Sequence, residues 1–193
     1  MAKPRNVFIR RRRQPPPAPP MPVPVRMVLL AIDSARTSGV ATYVNGGLSH
    51  YDEINARSHF ERHHVMADAC VTTRLRDLPV VACIEAPWGG RLSAALSLTA
   101  TLELWRDTWV RLGQDPARCL DRTAPEWRRM LFGRTRTREQ ARKLESLVAE
   151  QIAAKDLPGR PHRIGPDAAA AICIGQTQIR SRELHQLLAR YSA

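Results

Sequence analysis

Three acidic residues each stand at the end of a short apolar run. Asp33 closes Val28–Ile32, Glu85 closes Val80–Ile84, and Asp167 opens Ala168–Ile174. Runs of five or six residues rich in Val, Ile and Leu suit strands buried on both faces, and such strands need helices to cover them. A carboxylate at the end of a buried segment is costly unless it is paired or binds a cation. Three of them, on segments that can be neighbours in one core, point to a shared cation site. An Asp opening a helix is also the ordinary N-cap pattern, so Asp167 alone carries less weight than the three together.

The chain has 193 residues and a formal charge of +12, from 30 Lys and Arg against 18 Asp and Glu. The first 26 residues hold seven of the bases (Lys3, Arg5, Arg10, Arg11, Arg12, Arg13 and Arg26) and no acid. Eight of the fifteen prolines also lie there. Residues 1–25 therefore read as a disordered, partly polyproline-II basic arm, and residues 26–193 as one folded domain. The charge favours a phosphate backbone as partner. No apolar run approaches the roughly 20 residues that span a bilayer, so no membrane partner is expected. Cys70, Cys83, Cys119 and Cys173 form no CxxC pair. Two of them sit inside apolar runs, which suits a reducing compartment and no zinc knuckle.

Periodicity predicts strands over 27–33, 39–44, 48–54, 80–85 and 118–122, with Asn45-Gly46-Gly47 as a tight hairpin. Helices are predicted over 58–77, with Phe60, His64, Ala67, Val71 and Leu75 sharing one face, and over 91–112. Four more follow, over 124–132, 137–155, 167–177 and 181–191. The helix at 137–155 carries Ala141, Leu144, Val148 and Ile152 as its expected buried stripe. An antiparallel meander followed by strand–helix units gives an α/β fold. Its core is a mixed five-stranded sheet flanked by helices.

Three segments together, Ala31-Ile32-Asp33-Ser34-Ala35-Arg36, Cys83-Ile84-Glu85-Ala86-Pro87-Trp88 and Pro166-Asp167-Ala168-Ala169-Ala170-Ala171, resemble the RuvC-type Holliday-junction resolvases of the RNase H-like superfamily, including their phage branch. The resemblance covers residues 27 to about 178. It implies a structure-selective endonuclease that resolves four-way DNA junctions by paired symmetric nicks, as a homodimer, in the cytoplasm of a bacterial or phage-infected cell. Asp33, Glu85 and Asp167 would then be the catalytic carboxylates and the ligands of two Mg²⁺ or Mn²⁺ ions, since hard oxygen donors suit these cations. Two such ions about 3.5–4 Å apart promote in-line phosphodiester displacement. Many family members carry a further acid or His three residues before the last Asp. Here that position is Ile164, and His162 close by is a further catalytic candidate.

The same resemblance makes Trp88, three residues after Glu85, a wedge at the branch point. It aligns Arg128 and Gly133 with a phosphate-contacting base and a turn glycine. Arg134, Arg136, Arg138, Arg142 and Lys143 form a cationic strip at a helix start, suited to phosphate. Arg36 is placed near Asp33 by sequence position alone. The predicted helix over 91–112 is a candidate dimer element, through Leu92, Leu96, Thr99, Leu102 and Trp109. Two other readings keep the same fold: a nuclease for flaps, forks or RNA–DNA hybrids, and a basic nucleic-acid-binding module without turnover.

Overall fold

Alternation along two strands decides how the chain is layered. The computed structural model describes residues 26–88, 92–134, 137–159 and 163–191. The basic arm, Arg136 and His162 lie outside them. Strands β1 (Val28–Asp33), β2 (Thr37–Val44), β3 (Gly47–Asn55), β4 (Val80–Ala86) and β5 (Cys119–Thr123) form one sheet in the order β3-β2-β1-β4-β5. The first three make the antiparallel meander, and β1–β4 and β4–β5 pair in parallel. Asn45 and Gly46 both take positive φ at the β2–β3 turn, the geometry that matches the twist of a two-residue hairpin.

Side chains at even positions of β1 and β4, among them Leu30, Ile32, Ala82 and Ile84, point to one face. There they meet Met66 and Cys70 of α1 (His59–Arg76) and Leu102, Trp105 and Trp109 of α2 (Leu92–Arg111). Odd positions, Leu29, Ala31, Val81 and Cys83, point to the other face. That face is covered by α5 (Pro166–Ile179), with α3 (Ala124–Phe132), α4 (Arg138–Asp156) and α6 (Arg182–Tyr191) packed around it. Asp33 and Glu85, both at odd positions, therefore belong to the α5 face. Among the described residues no helix is long and apolar enough to cross a membrane.

The predicted elements match these closely, but three predicted faces do not. The buried side of α1 is Arg62, Met66, Ala69, Cys70 and Thr73, whereas Phe60 is 78% exposed and Val71 is also exposed. The apolar count misled because a cation sits inside: Arg62 donates to the Ala56 carbonyl and to Thr108 Oγ1. On α4 the buried stripe is Ala141, Glu145, Ala149 and Ala153. Leu144, Val148 and Ile152 are only half-buried. The face is again shifted because it includes a charged residue, Glu145. On α2, Leu102 and Trp109 fill the chain's own core and are not free for a partner, while Leu96 and Thr99 are exposed. The side chains of Leu75 and Leu92 lie outside the described residues.

Candidate active site

Register brings the first two carboxylates together. In the parallel β1–β4 pair Ile32 stands beside Ile84, so the next residue on each strand is an acid, Asp33 beside Glu85. Neighbouring strands lie about 4.8 Å apart, and both side chains leave the sheet on the α5 face. Ser34 Oγ donates to the Glu85 carbonyl at 2.5 Å and ties the two strand ends together.

The third carboxylate arrives through a close approach. Gly39 of β2 pairs directly with Asp33 across the antiparallel ladder. A Cβ on Gly39 would run into the backbone carbonyl of Asp167. The start of α5 thus lies on the sheet at a strand position that has no side chain, next to Asp33. Asp167 is not the cap of its helix. The cap position is Gly165, and Pro166 occupies the first turn. The free N–H groups are satisfied from β3, where Glu53 Oε1 accepts from Asp167 N at 2.9 Å and from Ala168 N at 3.1 Å. With its N-cap role taken by another residue, the Asp167 side chain is left over for the site.

Burial and neighbouring carboxylates oppose ionisation of the cluster. Burial, and then the nearby Glu85 and Asp167 carboxylates, hold the Asp33 carboxyl well above the usual range, against the opposing pull of Arg128. Burial raises Glu85 too, partly offset by its hydrogen bond from Trp127 and by Arg128. Asp167 is raised by burial and by Glu53, with Arg142 opposing. Carboxylates that repel one another in a recessed site are the donor set a hard divalent cation neutralises. In the observed side-chain positions, no group of three or more His, Cys, Asp or Glu among the described residues is placed so that it could hold a metal ion. Glu85 Oε2 is engaged with the Trp127 indole at 2.8 Å. The fit to a cation lies in the chemistry of the donors.

Three participants were not singled out from the sequence: Glu145, Glu53 and Trp127. Glu145 recurs at helical spacing with Ala141 and Ala149, a signal that was legible once a charge was allowed in the stripe. Nothing in the sequence marked Glu53, because its partner lies 114 residues away.

The basic candidates divide. Arg128 is held in place: its Nε donates to Glu145 Oε1 at 2.7 Å, its guanidinium lies 4.8 Å from the centroid of the Trp127 ring, and it also lines the groove described next. Arg134 and Arg138 line a groove of about 430 Å³ with Trp88, Arg129 and Gly133. Trp88 there is 67% exposed. Arg142 is exposed and near enough to Asp167 to oppose its rise. Lys143 lies on the outer side of α4, 73% exposed and paired with Glu139 at 2.9 Å, away from the groove. Arg36 is exposed between β1 and β2.

No protein-family model and no curated protein sequence matches the chain. Solved structures do match. A structure of Thermus thermophilus RuvC aligns with TM-score 0.55 at 19% identity, over 86% of this chain and 97% of that one. Another, T. thermophilus RuvC in complex with a Holliday junction substrate, aligns with TM-score 0.51 at 16% identity, over 86% of this chain and 96% of that one. With a five-stranded mixed sheet in this order and helices on both faces, the chain has the RuvC-like form of the RNase H-like fold.

Proposed function

We propose that the protein is a divalent-metal-dependent DNA endonuclease that cuts four-way junctions as a homodimer. What supports this reading is that Asp33 and Glu85 end adjacent parallel strands on the face α5 covers, that the start of α5 lies against Gly39 beside Asp33, and that burial opposes the ionisation of all three carboxyls. These three would hold Mg²⁺ or Mn²⁺. When bound, such ions supply Lewis-acid activation of water and charge neutralisation at the scissile phosphodiester.

The chain's own residues account for the rest. Arg134 and Arg138, in the groove they line with Arg128 and Trp88, offer bidentate phosphate contacts. The exposed Trp88, which follows the Glu85 strand, offers a flat apolar ring to an unstacked base at the branch point. Arg142 flanks Asp167 and is the candidate for a second phosphate contact. A two-fold assembly suits a four-way junction, whose two scissile strands are related by symmetry. The exposed Leu96 and Val110 of α2 are available for that contact.

The test is cleavage of a synthetic mobile four-way junction by wild type and Asp33→Asn, over a titration of Mg²⁺ and Mn²⁺, with a flap and an RNA–DNA hybrid as competitors. The reading expects paired nicks in wild type and a loss of roughly 10³-fold or more in the variant, the scale of several kcal/mol of transition-state stabilisation. Junction binding should persist in both. Wild type that binds junctions but never nicks them would leave a binding module, and preferential cutting of the hybrid or flap would move the substrate.

A further inference from the structure

Three tryptophans are fully buried, and each satisfies its indole N–H. Trp105 and Trp109, in the α1–α2 layer, donate to neutral acceptors, the Ser38 hydroxyl at 3.1 Å and the Asp115 carbonyl at 2.9 Å. Trp127, on the opposite face, donates to a carboxylate of the acidic cluster, Glu85 Oε2, at 2.8 Å. An indole N–H never ionises in this role. It can therefore fix one oxygen of Glu85 in every protonation state and leave the other oxygen facing the cluster.

Trp127 is itself held on two sides. Phe132 meets its ring edge-on at 6.4 Å between centroids. Arg128 lies against its face, fixed at Nε by Glu145, whose side chain is only 4% exposed. A buried carboxylate close to the Asp33 and Glu85 carboxyls is costly. Its pairing with Arg128 offsets that cost and also puts a positive charge near Asp33 and Glu85.

We propose that Trp127 is a positioning residue that aims the Glu85 carboxylate into the cation site, and that the Glu145–Arg128 pair holds the indole in that place. The inference rests on the metal-dependent reading above. If the indole only filled space, phenylalanine would serve as well.

The experiment compares Mn²⁺ binding by calorimetry in wild type, Trp127→Phe and Glu145→Gln, with thermal unfolding of each. It adds the indole N–H resonances of unaltered wild type during a Mg²⁺ titration. Trp127→Phe should weaken Mn²⁺ roughly 10–100-fold, the usual cost of losing a partner of a metal ligand. Glu145→Gln should weaken it in the same direction by less. In wild type the Trp127 N–H resonance should move with Mg²⁺ while that of Trp109 stays, a readout that needs no variant to fold. Mn²⁺ affinity unchanged in Trp127→Phe, or a Trp127 resonance indifferent to Mg²⁺ in a protein that binds it, would overturn the inference and leave the nuclease reading standing. A wild type that takes up no Mn²⁺ would overturn both.

Discussion

The two faces of the sheet share the same strands and are closed in opposite ways. On the α1–α2 face large side chains, Met66, Trp105 and Trp109, stand between helix and strand. Their buried polar groups end on neutral partners, and Arg62, the one buried cation there among the described residues, is bonded to a carbonyl and a hydroxyl. On the α5 face the covering helix opens its buried contact with four alanines, Ala168 to Ala171, before the larger Ile172, Cys173 and Ile174. Gly39 and Gly175 let its backbone approach, with Tyr43 donating to the Ile172 carbonyl at 2.6 Å and its ring lying where a Cβ of Gly175 would be. The first face spends its volume on cohesion. The second gives up side-chain bulk so that a helix start can be set down beside two strand-end carboxylates.

That contrast can be broken most severely at Gly39. Gly39→Ala should lift the start of α5 from the sheet, at a cost of about 1–3 kcal/mol. A shift of about 1 Å at Asp167 should lower junction cleavage roughly 100-fold. Unfolding and single-turnover cleavage measured on the same preparation check both. The matching cut on the other face is Leu102→Ala. It should cost about 2–5 kcal/mol in denaturant unfolding yet leave the cleavage rate per folded molecule within twofold. Equal loss of activity from both variants would erase the proposed division of labour.

Much of this architecture was legible before folding. The apolar runs, the Asn-Gly turn and the carboxylate after each strand gave the sheet and two of the three acids, because strand period and turn chemistry are local. What stayed hidden was long-range. The faces of α1 and α4 were misjudged because Arg62 and Glu145 are buried through partners elsewhere in the chain. Asp167 looked like an N-cap because Glu53, which does the capping, comes from a different element. The strip of bases read as one surface, but α4 turns Lys143 outward and Arg138 toward the groove.

A smaller effect follows from charge. Asp33, Glu85 and Asp167 are all raised in the folded chain, whereas in the unfolded chain they ionise near pH 4. The folded, metal-free protein binds these protons more tightly. The stability this gives is complete below the unfolded values and is lost as pH rises through the folded ones. Between pH 5 and pH 8 in a chelator, the Tm of wild type should therefore fall relative to that of Asp33→Asn. Roughly 2–4 °C is the shift for each kcal/mol in a domain of this size. Scanning calorimetry at the two pH values decides it, and a parallel course of the two proteins would remove the charge argument. The smallest effect is expected outside both layers. Lys143→Ala should change junction affinity less than twofold, as for an exposed ion pair. Arg138→Ala should weaken it and flatten its salt dependence by about one phosphate contact, both read from anisotropy titrations.

The account stands on one arrangement, a cation shared by carboxylates that two parallel strands and one thinly clad helix bring to the same place. Anomalous diffraction from crystals soaked in Mn²⁺ tests it directly. The account predicts manganese density among the carboxylates of Asp33, Glu85 and Asp167, lost in Asp33→Asn. Saturated crystals with no density there, or with manganese held by other residues, would contradict it.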